Sequence, residues 1–413
     1  MPLLAQGLSM YVQHLSLTNF RNYARLELGL APGATLLYGA NAQGKTNLLE
    51  ALYYLATSRS PYTTSDRQLI HWRAENEPIP FARLAVEVHG QRRSAPERIE
   101  VTLMLERTPD GAQRFKKTIR LNGADKRVMD MVGVLSVVLF LPRDLALVEG
   151  SPAERRRFMD ETLSQVDRDY LQALTTYEKV LPQRNALLRR LADGQGSPRE
   201  LEYWDAQLVS SGSVIIAGRQ RFLRELEVDA RRAHHDLTGR RETLTLVYQP
   251  SFTPTATSSG QLSFNTPGLD LHRELSPDQI APQFADCLKA EQSLSIRRGM
   301  TLSGPHRDEL RLRINDHDAG LYGSRGQART AVMALKLAEL NWMTDCVGEP
   351  PLLLLDEVIA ELDADRRAYL LERLTSVTQT LLTTTEREIF TPAFLARSKL
   401  LHIADGQILP VEA

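Results

Sequence analysis

The chain has 413 residues, 42% of them hydrophobic, and a formal net charge of −1. That length holds two or three domains with a sizeable core, and so neutral a balance confines any nucleic-acid site to a local patch. The two cysteines, Cys287 and Cys346, form no C-x-x-C pair, which argues for a reducing, cytoplasmic setting without structural zinc.

No apolar run approaches the ~18 residues of a membrane helix. The longest, Val134 to Leu141, is strand-sized, so no membrane partner is expected. Residues 1–9 carry neither a cationic start nor a cleavage site, and read as an upstream extension of the start or as a disordered tail. Tyr11 to Leu17 and Ala24 to Leu30 alternate apolar and polar residues and predict two strands. Between them, in Asn19-Phe-Arg-Asn-Tyr23, Arg21 has two readings, a surface loop residue or a nucleotide contact.

A short apolar strand, Ala34 to Tyr38, then runs into Gly39-Ala-Asn-Ala-Gln-Gly-Lys-Thr46. This stretch fits the spacing G-x-x-x-x-G-K-S/T, and Asn47 to Leu55 follows with helical periodicity. Strand, glycine loop and helix together are the setting of a phosphate-binding loop. Gly39 and Gly44 allow the backbone of Ala40, Asn41, Ala42 and Gln43 to crowd a phosphate. The new helix points unsatisfied N–H groups and its positive dipole end at the anion. Lys45 is then expected to reach the β- and γ-phosphates of ATP, and the Thr46 hydroxyl to ligate Mg²⁺.

Three further alternating runs follow at Phe81–His89, Arg98–Leu105 and Arg114–Leu121, the last ending in an Asn122-Gly123 hairpin turn. Arg114, Lys116, Lys117, Arg120, Lys126 and Arg127 crowd that hairpin, either as a solvated sheet face or as a contact for a phosphate backbone. Val137 to Pro142 reads as a buried strand closing the lobe. Beyond it Ser151-Pro-Ala-Glu154, Ser197-Pro-Arg-Glu200 and Ser276-Pro-Asp-Gln279 are capping boxes with proline at the first helical position. Residues 151–240 are rich in Leu, Arg, Glu and Ala at helical spacing and break at Ala192-Asp-Gly-Gln-Gly196. They predict an antiparallel helical arm with limbs of roughly 40 residues, ~60 Å each. Arg155, Arg156 and Arg157 on the first limb read as solvated, with DNA contact as the other choice. Ser251 to Gly268 is Ser/Thr/Pro-rich and reads as a mobile loop.

The second half of the site comes late. Leu352 to Asp356 is an apolar strand ending in two carboxylates, of which Asp356 is expected to hold the Mg²⁺ water shell and Glu357 to orient or deprotonate the attacking water. Ser324-Arg-Gly-Gln327 enters the helix Ala331–Trp342, so Ser324, Gly326 and Gln327 offer a second phosphate-binding surface, with an ordinary helix cap as the plainer reading.

These motifs, with Ala360-Glu-Leu-Asp363 after the carboxylates, resemble the ABC-type ATPases of the SMC and Rad50 group. Within it the resemblance is to the RecF family of bacterial recombination mediators, from about Met10 to the end. It is carried by Leu17 to Tyr23, Gly39 to Asn47, Leu141-Pro-Arg-Asp-Leu145, Arg156-Arg-Phe-Met-Asp160, Gly304-Pro-His-Arg-Asp-Glu309 and Ser324 to Gln327. The fold implied is α/β: an ABC-type P-loop ATPase head, a mixed sheet with flanking antiparallel strands, interrupted by an inserted helical arm domain. The expected division is 1–150 and 296–413 for the head and 151–295 for the arm.

The resemblance implies a weak DNA-stimulated ATPase that dimerises with ATP and binds single-stranded, gapped and linear duplex DNA. It implies loading of RecA with RecO and RecR, in repair, replication restart and the SOS response. Arg325 and Ala328 stand where the family usually has Gln beside the signature glycines, and Ala360 where it has Ser. Thr383-Thr-Thr385 replaces a switch histidine, which suggests slow hydrolysis. No glutamine marks a Q-loop near Leu141–Asp144. Gly304-Pro-His-Arg-Asp308 has no assignable chemistry, and His306 reads as a core histidine. Three rivals remain. The arm and the missing histidine disfavour a transporter ATPase subunit, the arm is too short for an SMC-like structural tether, and a small-molecule kinase leaves Ser324–Gln327 without a purpose.

Overall fold

The computed structural model describes residues 9–409 apart from 92, 94, 108–112, 253–273 and 375–376. Two earlier expectations, for residues 1–8 and for most of Ser251–Gly268, fall outside that range. The chain opens with β1 (Tyr11–Phe20), β2 (Tyr23–Gly29), β3 (Gly33–Tyr38) and α1 (Lys45–Thr57). Next come β4 (Phe81–His89), β5 (Glu97–Arg107), β6 (Gln113–Leu121), β7 (Ala124–Lys126) and β8 (Val137–Phe140). A largely helical stretch follows: α2 (Ala146–Glu149), α3 (Pro152–Val166), α4 (Arg168–Ala192) and α5 (Leu201–Leu237). It continues through β9 (Leu244–Gln249), α6 (Pro277–Ala290), α7 (Gln292–Arg298), β10 (Glu309–Ile314), β11 (His317–Asp318), α8 (Ala319–Tyr322) and α9 (Arg325–Val347). The chain ends with β12 (Leu352–Asp356), α10 (Ala364–Leu374), β13 (Gln379–Thr384), α11 (Pro392–Arg397), β14 (Lys399–Ala404) and β15 (Gln407–Leu409).

Two compact units result, one from the segments up to Arg143 and from Met343 onward, the other from Asp144–Trp342. The first unit holds two six-stranded sheets. One is antiparallel throughout, in the order β2-β1-β4-β5-β6-β7. Its alternation is the cause of its one-sided burial: Leu15 pairs with Val86 and Leu17 with Leu84, all on the core side. The Asn122-Gly123 turn forms as expected, with φ of 52° and 83°, the left-handed pair that a two-residue hairpin needs.

The other sheet runs β15-β14-β3-β13-β12-β8, parallel except for β15. Parallel strands are covered on both faces, which is why Leu352–Leu355 is apolar at every position and fully buried. The register aligns Leu37, Thr383 and Asp356 across three neighbouring strands at their carboxyl ends. One apolar core joins this sheet, α1 and the antiparallel sheet through residues such as Leu48, Leu52, Leu84 and Leu354.

In the second unit α4 and α5 form the expected antiparallel pair, with Leu187, Leu188 and Leu201 packed near their joint. α5 has 37 residues, about 55 Å at helical rise. The other limb is not continuous: Asp167 stops α3 after 15 residues and caps the 25-residue α4, its carboxylate accepting from the Tyr170 N–H at 2.9 Å. Capping boxes form at Ser197/Glu200 and Ser276/Gln279. At Ser151 the helix starts at Pro152 as expected, but without a side-chain cap.

The unit is wider than the expected 151–295 insertion at both ends. On the C-terminal side β10 lies against β9 from Glu309–Gln249 to Ile314–Leu244, which keeps that part of the chain after residue 296 with this unit. Among the described residues no helix is long and apolar enough to cross a membrane.

Candidate functional site

The P-loop folds as its glycines require. Gly39 and Gly44 have φ of 150° and 113°, and a Cβ on Gly39 would come within 2.2 Å of the Ile403 carbonyl oxygen. On Gly44 it would meet the Asn22 amide at 2.6 Å. Gly44 heads α1 without any side-chain cap, so the first turn of that helix keeps donors available for an anion. Lys45 is 3% exposed. Its ammonium donates to the carbonyls of Gly39 at 2.8 Å and Ala40 at 2.9 Å and lies 3.3 Å from Glu357.

The two late carboxylates converge on the same place. The Thr46 hydroxyl donates to Asp356 Oδ1 at 2.9 Å, across 310 residues of sequence. Thr383, one strand over, donates to the same oxygen at 2.7 Å and accepts from the Glu357 N–H at 2.9 Å. Glu357 itself has a φ of 55°, a strained conformation for a residue with a Cβ, at the bend where β12 ends. Lys45, Thr46, Asp356 and Glu357 are thus one constellation, as the sequence predicts.

Several residues of the site were not singled out beforehand. Asn22 donates to the Gln43 carbonyl at 2.9 Å and accepts from Asn47 at 2.8 Å, and the Tyr23 phenol donates to the Gly44 carbonyl at 2.9 Å. The turn after β1 is therefore a buttress for the P-loop. The β14–β15 turn supports it from another direction, with Asp405 N–H donating to Gln43 Oε1 at 2.7 Å. Tyr62, in the loop after α1, donates to Asp356 Oδ2 at 2.8 Å. Burial first and the Asp356 charge second push the pKa of that phenol up. Arg143 occupies the segment where a Q-loop glutamine was sought; its guanidinium stacks on the Tyr62 ring and donates to the Pro61 carbonyl. The signal for Tyr62 was weak, one aromatic in a Ser/Thr/Pro stretch.

Arg21 is engaged within its own chain. Its guanidinium grips the buried Glu50 of α1 at 2.8 and 2.6 Å and also reaches the Gln68 carbonyl at 3.2 Å. In this structure it is a strut between the β1–β2 turn and the P-loop helix.

Ser324, Gly326 and Gln327 form their own assembly at the start of α9. The Ser324 N–H donates to Gln327 Oε1 at 2.8 Å and the Gln327 N–H to Ser324 Oγ at 3.2 Å, a reciprocal capping box. The Gln327 amide also donates to Glu242 at 2.9 Å. A Cβ on Gly326 would meet nothing closer than Ser324 Oγ at 3.9 Å, so that face of the helix start is open.

The charge readings divide: Arg155, Arg156 and Lys117 depart from them, and the rest of the hairpin does not. Arg155 is 8% exposed and pairs with Glu309 at 2.7 and 2.9 Å, Arg156 donates to the Asp308 carbonyl at 2.7 Å, and Arg157 pairs with Glu161 at 2.7 Å. Arg155 and Arg156 are turned toward the start of β10, whereas Arg157, 35% exposed beside a residue of its own helix, keeps the solvated side of the reading. The hairpin keeps the solvated face expected of it: Lys116, Arg120 and Arg127 stay half exposed or more, beside Glu106 at 3.0 Å, Asp125 at 2.8 Å and Asp130 at 3.6 Å. Lys117 points to the opposite, half-buried face, where it pairs with Asp66 at 3.1 Å over the Tyr54 ring and burial lowers its pKa.

Gly304-Pro-His-Arg-Asp308 proves to be a joint of the second unit. Asp308, wholly buried, accepts from Arg219 at 3.2 Å, from the Ser251 N–H at 2.9 Å and from the Tyr248 phenol. Arg219 also holds Asp160 at 2.8 Å, so α3, α5 and the end of β9 meet on one motif. His306 is the core histidine expected: its Nδ1 meets the Tyr177 phenol at 2.7 Å, and burial lowers its pKa to about 4.

The chain matches the family described as RecF/RecN/SMC N terminal domain over residues 11–406. It is 43% identical to the DNA replication and repair protein RecF of Chloroflexus aurantiacus, over 97% of this chain and 99% of that one. The same-named protein of Synechococcus sp. (strain JA-3-3Ab) is 40% identical over 98% and 99% of the two chains. Among solved structures it is similar to the recombination mediator protein RecF-ATP in RecFOR pathway, with a TM-score of 0.81 and 27% identity over 100% of both chains. A second, RecF-ATPrS, gives 0.80 at 29% identity over 97% and 98%.

Proposed function

The chain belongs to the RecF family within the RecF/RecN/SMC proteins, and from that premise we propose that it is an ATP-hydrolysing recombination mediator of DNA repair. The observation that carries the nucleotide reading is the meeting of Lys45, Thr46, Asp356 and Glu357 at the uncapped start of α1. A hydroxyl beside a carboxylate, next to a loop ammonium, fits Mg²⁺ with a triphosphate. When bound, Mg²⁺–ATP supplies the γ-phosphoryl group and part of the charge that offsets it. Lys45 exchanges the Gly39 and Ala40 carbonyls for phosphate oxygens. Thr46 and Asp356 would hold the metal and its water shell, and Glu357 would orient the attacking water and take its proton.

Ser324, Gly326 and Gln327 take the role of a signature surface that serves the nucleotide of a second copy. One chain has one P-loop, so two enclosed nucleotides need two chains related head to tail across a two-fold axis. The open face at Gly326 supports this reading. The dimer closed by ATP would hold gapped, linear duplex or single-stranded DNA and, with RecO and RecR, help to load RecA in repair, replication restart and SOS induction. Hydrolysis, weak and stimulated by DNA, would release it.

Mixing two variants tests the arrangement. Ser324→Arg is expected to bind ATP yet stay monomeric, without turnover or ATP-dependent retention of gapped DNA in gel filtration. Lys45→Ala is expected to bind ATP about 100-fold more weakly and so to stay empty at ATP concentrations that just saturate the unmodified chain. Their mixture should regain one composite site and partial turnover. A mixture that stays inert while both variants are folded, or a Ser324→Arg protein that still dimerises with ATP, would sink the shared-site reading.

A further inference from the structure

Asp356 is 6% exposed, and three donors already engage its carboxylate. Thr46 and Thr383 share Oδ1 at 2.9 and 2.7 Å, while the Tyr62 phenol holds Oδ2 at 2.8 Å. A carboxylate accepts about four hydrogen bonds through its two oxygens, so three of those positions are taken by protein.

The three donors are not equally fixed. Thr46 lies in the first turn of α1, and Thr383 lies within β13, between β3 and β12 in the parallel ladder. Tyr62 comes from the segment between α1 and the short turn at Asp66–Leu69, outside any helix or strand. Its backbone N–H donates to Ser60 Oγ at 3.0 Å, while its ring is steadied by Arg143, whose guanidinium lies 5.0 Å from the ring centroid and also donates to the Pro61 carbonyl. The residue is 38% exposed although its hydroxyl reaches a buried carboxylate. Tyr62 is therefore the donor able to leave, and the oxygen it holds is the one without a partner from the sheet or the P-loop helix.

We propose that Tyr62 is a placeholder at the metal-binding carboxylate: its hydroxyl satisfies Asp356 Oδ2 in the empty site and gives that oxygen up when a divalent cation enters with its water shell. In that role Tyr62 is a positioning residue that sets the metal concentration the site requires. While the site is empty it spares Asp356 an unpaired buried oxygen. Once the metal is present it is a competitor. The inference rests on the reading of the P-loop as a Mg²⁺–ATP site.

The test is equilibrium binding of a fluorescent ATP analogue to the full chain, with Mg²⁺ titrated upward from EDTA. Tyr62→Phe keeps the ring and its stacking on Arg143 and deletes only the hydroxyl. Half-saturation should then need about tenfold less Mg²⁺, the factor expected when one hydrogen bond to a charged group no longer has to be broken. Affinity in EDTA should stay unchanged. Arg143→Ala, which frees the loop and leaves the phenol in place, should shift the Mg²⁺ requirement in the same direction by less. A merely structural role would lower both affinities together. An equal or higher Mg²⁺ requirement in Tyr62→Phe, with ATP binding otherwise intact, would overturn the inference. Failure of the unmodified chain to bind the analogue at any Mg²⁺ concentration would instead overturn the nucleotide reading.

Discussion

Two helix starts in this chain, α1 and α9, carry the same ingredients, a glycine and a hydroxyl at a positive dipole end, yet they are prepared differently. α1 begins at Gly44 with no side-chain cap, under a loop propped by Asn22, Tyr23 and Gln43. α9 begins with Ser324 and Gln327 capping each other. The first keeps its donors free and spends the surrounding polar side chains on holding the loop open. The second satisfies its own donors through that reciprocal cap. On the proposed reading this is the difference between a site that binds within its own chain, which can be built in advance, and one that serves a second copy, which needs a resting state of its own.

The largest expected effect tests the prepared site. Glu357 lies 3.3 Å from Lys45 at a left-handed bend, and Asp356 beside it is already committed to Thr46 and Thr383. Glu357→Gln should keep ATP binding and lower turnover by roughly two to four orders of magnitude, the usual worth of a positioned general base. Single-turnover hydrolysis measures it, and a rate within a few-fold of the unmodified chain would move the base elsewhere. Next in size, Lys45→Ala should weaken ATP binding by about 100-fold, roughly 3 kcal/mol for one charge-assisted contact. Thermal unfolding should confirm that the fold persists, since the loop is also held by Asn22, Tyr23 and Gln43. Wild-type affinity in the folded variant would refute the role of the ammonium.

The same comparison explains what the sequence made legible. The P-loop can be read from residue spacing because its geometry depends on glycines a few positions apart. The strand Leu352–Asp356 can be read because a parallel strand covered on both faces has to be apolar throughout. Partnerships across hundreds of residues leave no such trace. Nothing near Tyr62 or Thr383 announces Asp356, and nothing near Arg155 announces Glu309. Arginines at a helix start look solvated until the strand that covers them is known. Lys117 was grouped with its neighbours because a list of cations ignores the two faces of a strand, which its pairing with Asp66 makes plain. At Ser324 the ambiguity was inherent. A serine followed three residues later by glutamine is a capping box and a phosphate surface in the same letters.

That ambiguity can be separated experimentally, with the smallest expected effect. Ser324→Ala removes the hydroxyl that accepts the Gln327 N–H at 3.2 Å. It should cost about 1 kcal/mol of cap energy, a fall of about 2–4 °C in the unfolding temperature of a domain this large. Ser324→Asp should behave differently. Aspartate is as good a cap as serine and its charge suits the helix dipole, so the unfolding temperature should stay within a degree or so of the unmodified chain. That same negative charge opposes a γ-phosphate, so ATP-dependent dimerisation should vanish in a protein that is fully folded and still binds ATP at its own P-loop. Light scattering with and without ATP, read beside the melting curves, distinguishes the two roles. A Ser324→Asp protein that dimerises with ATP as the unmodified chain does would reduce Ser324 to a helix cap and leave α9 a helix start like any other.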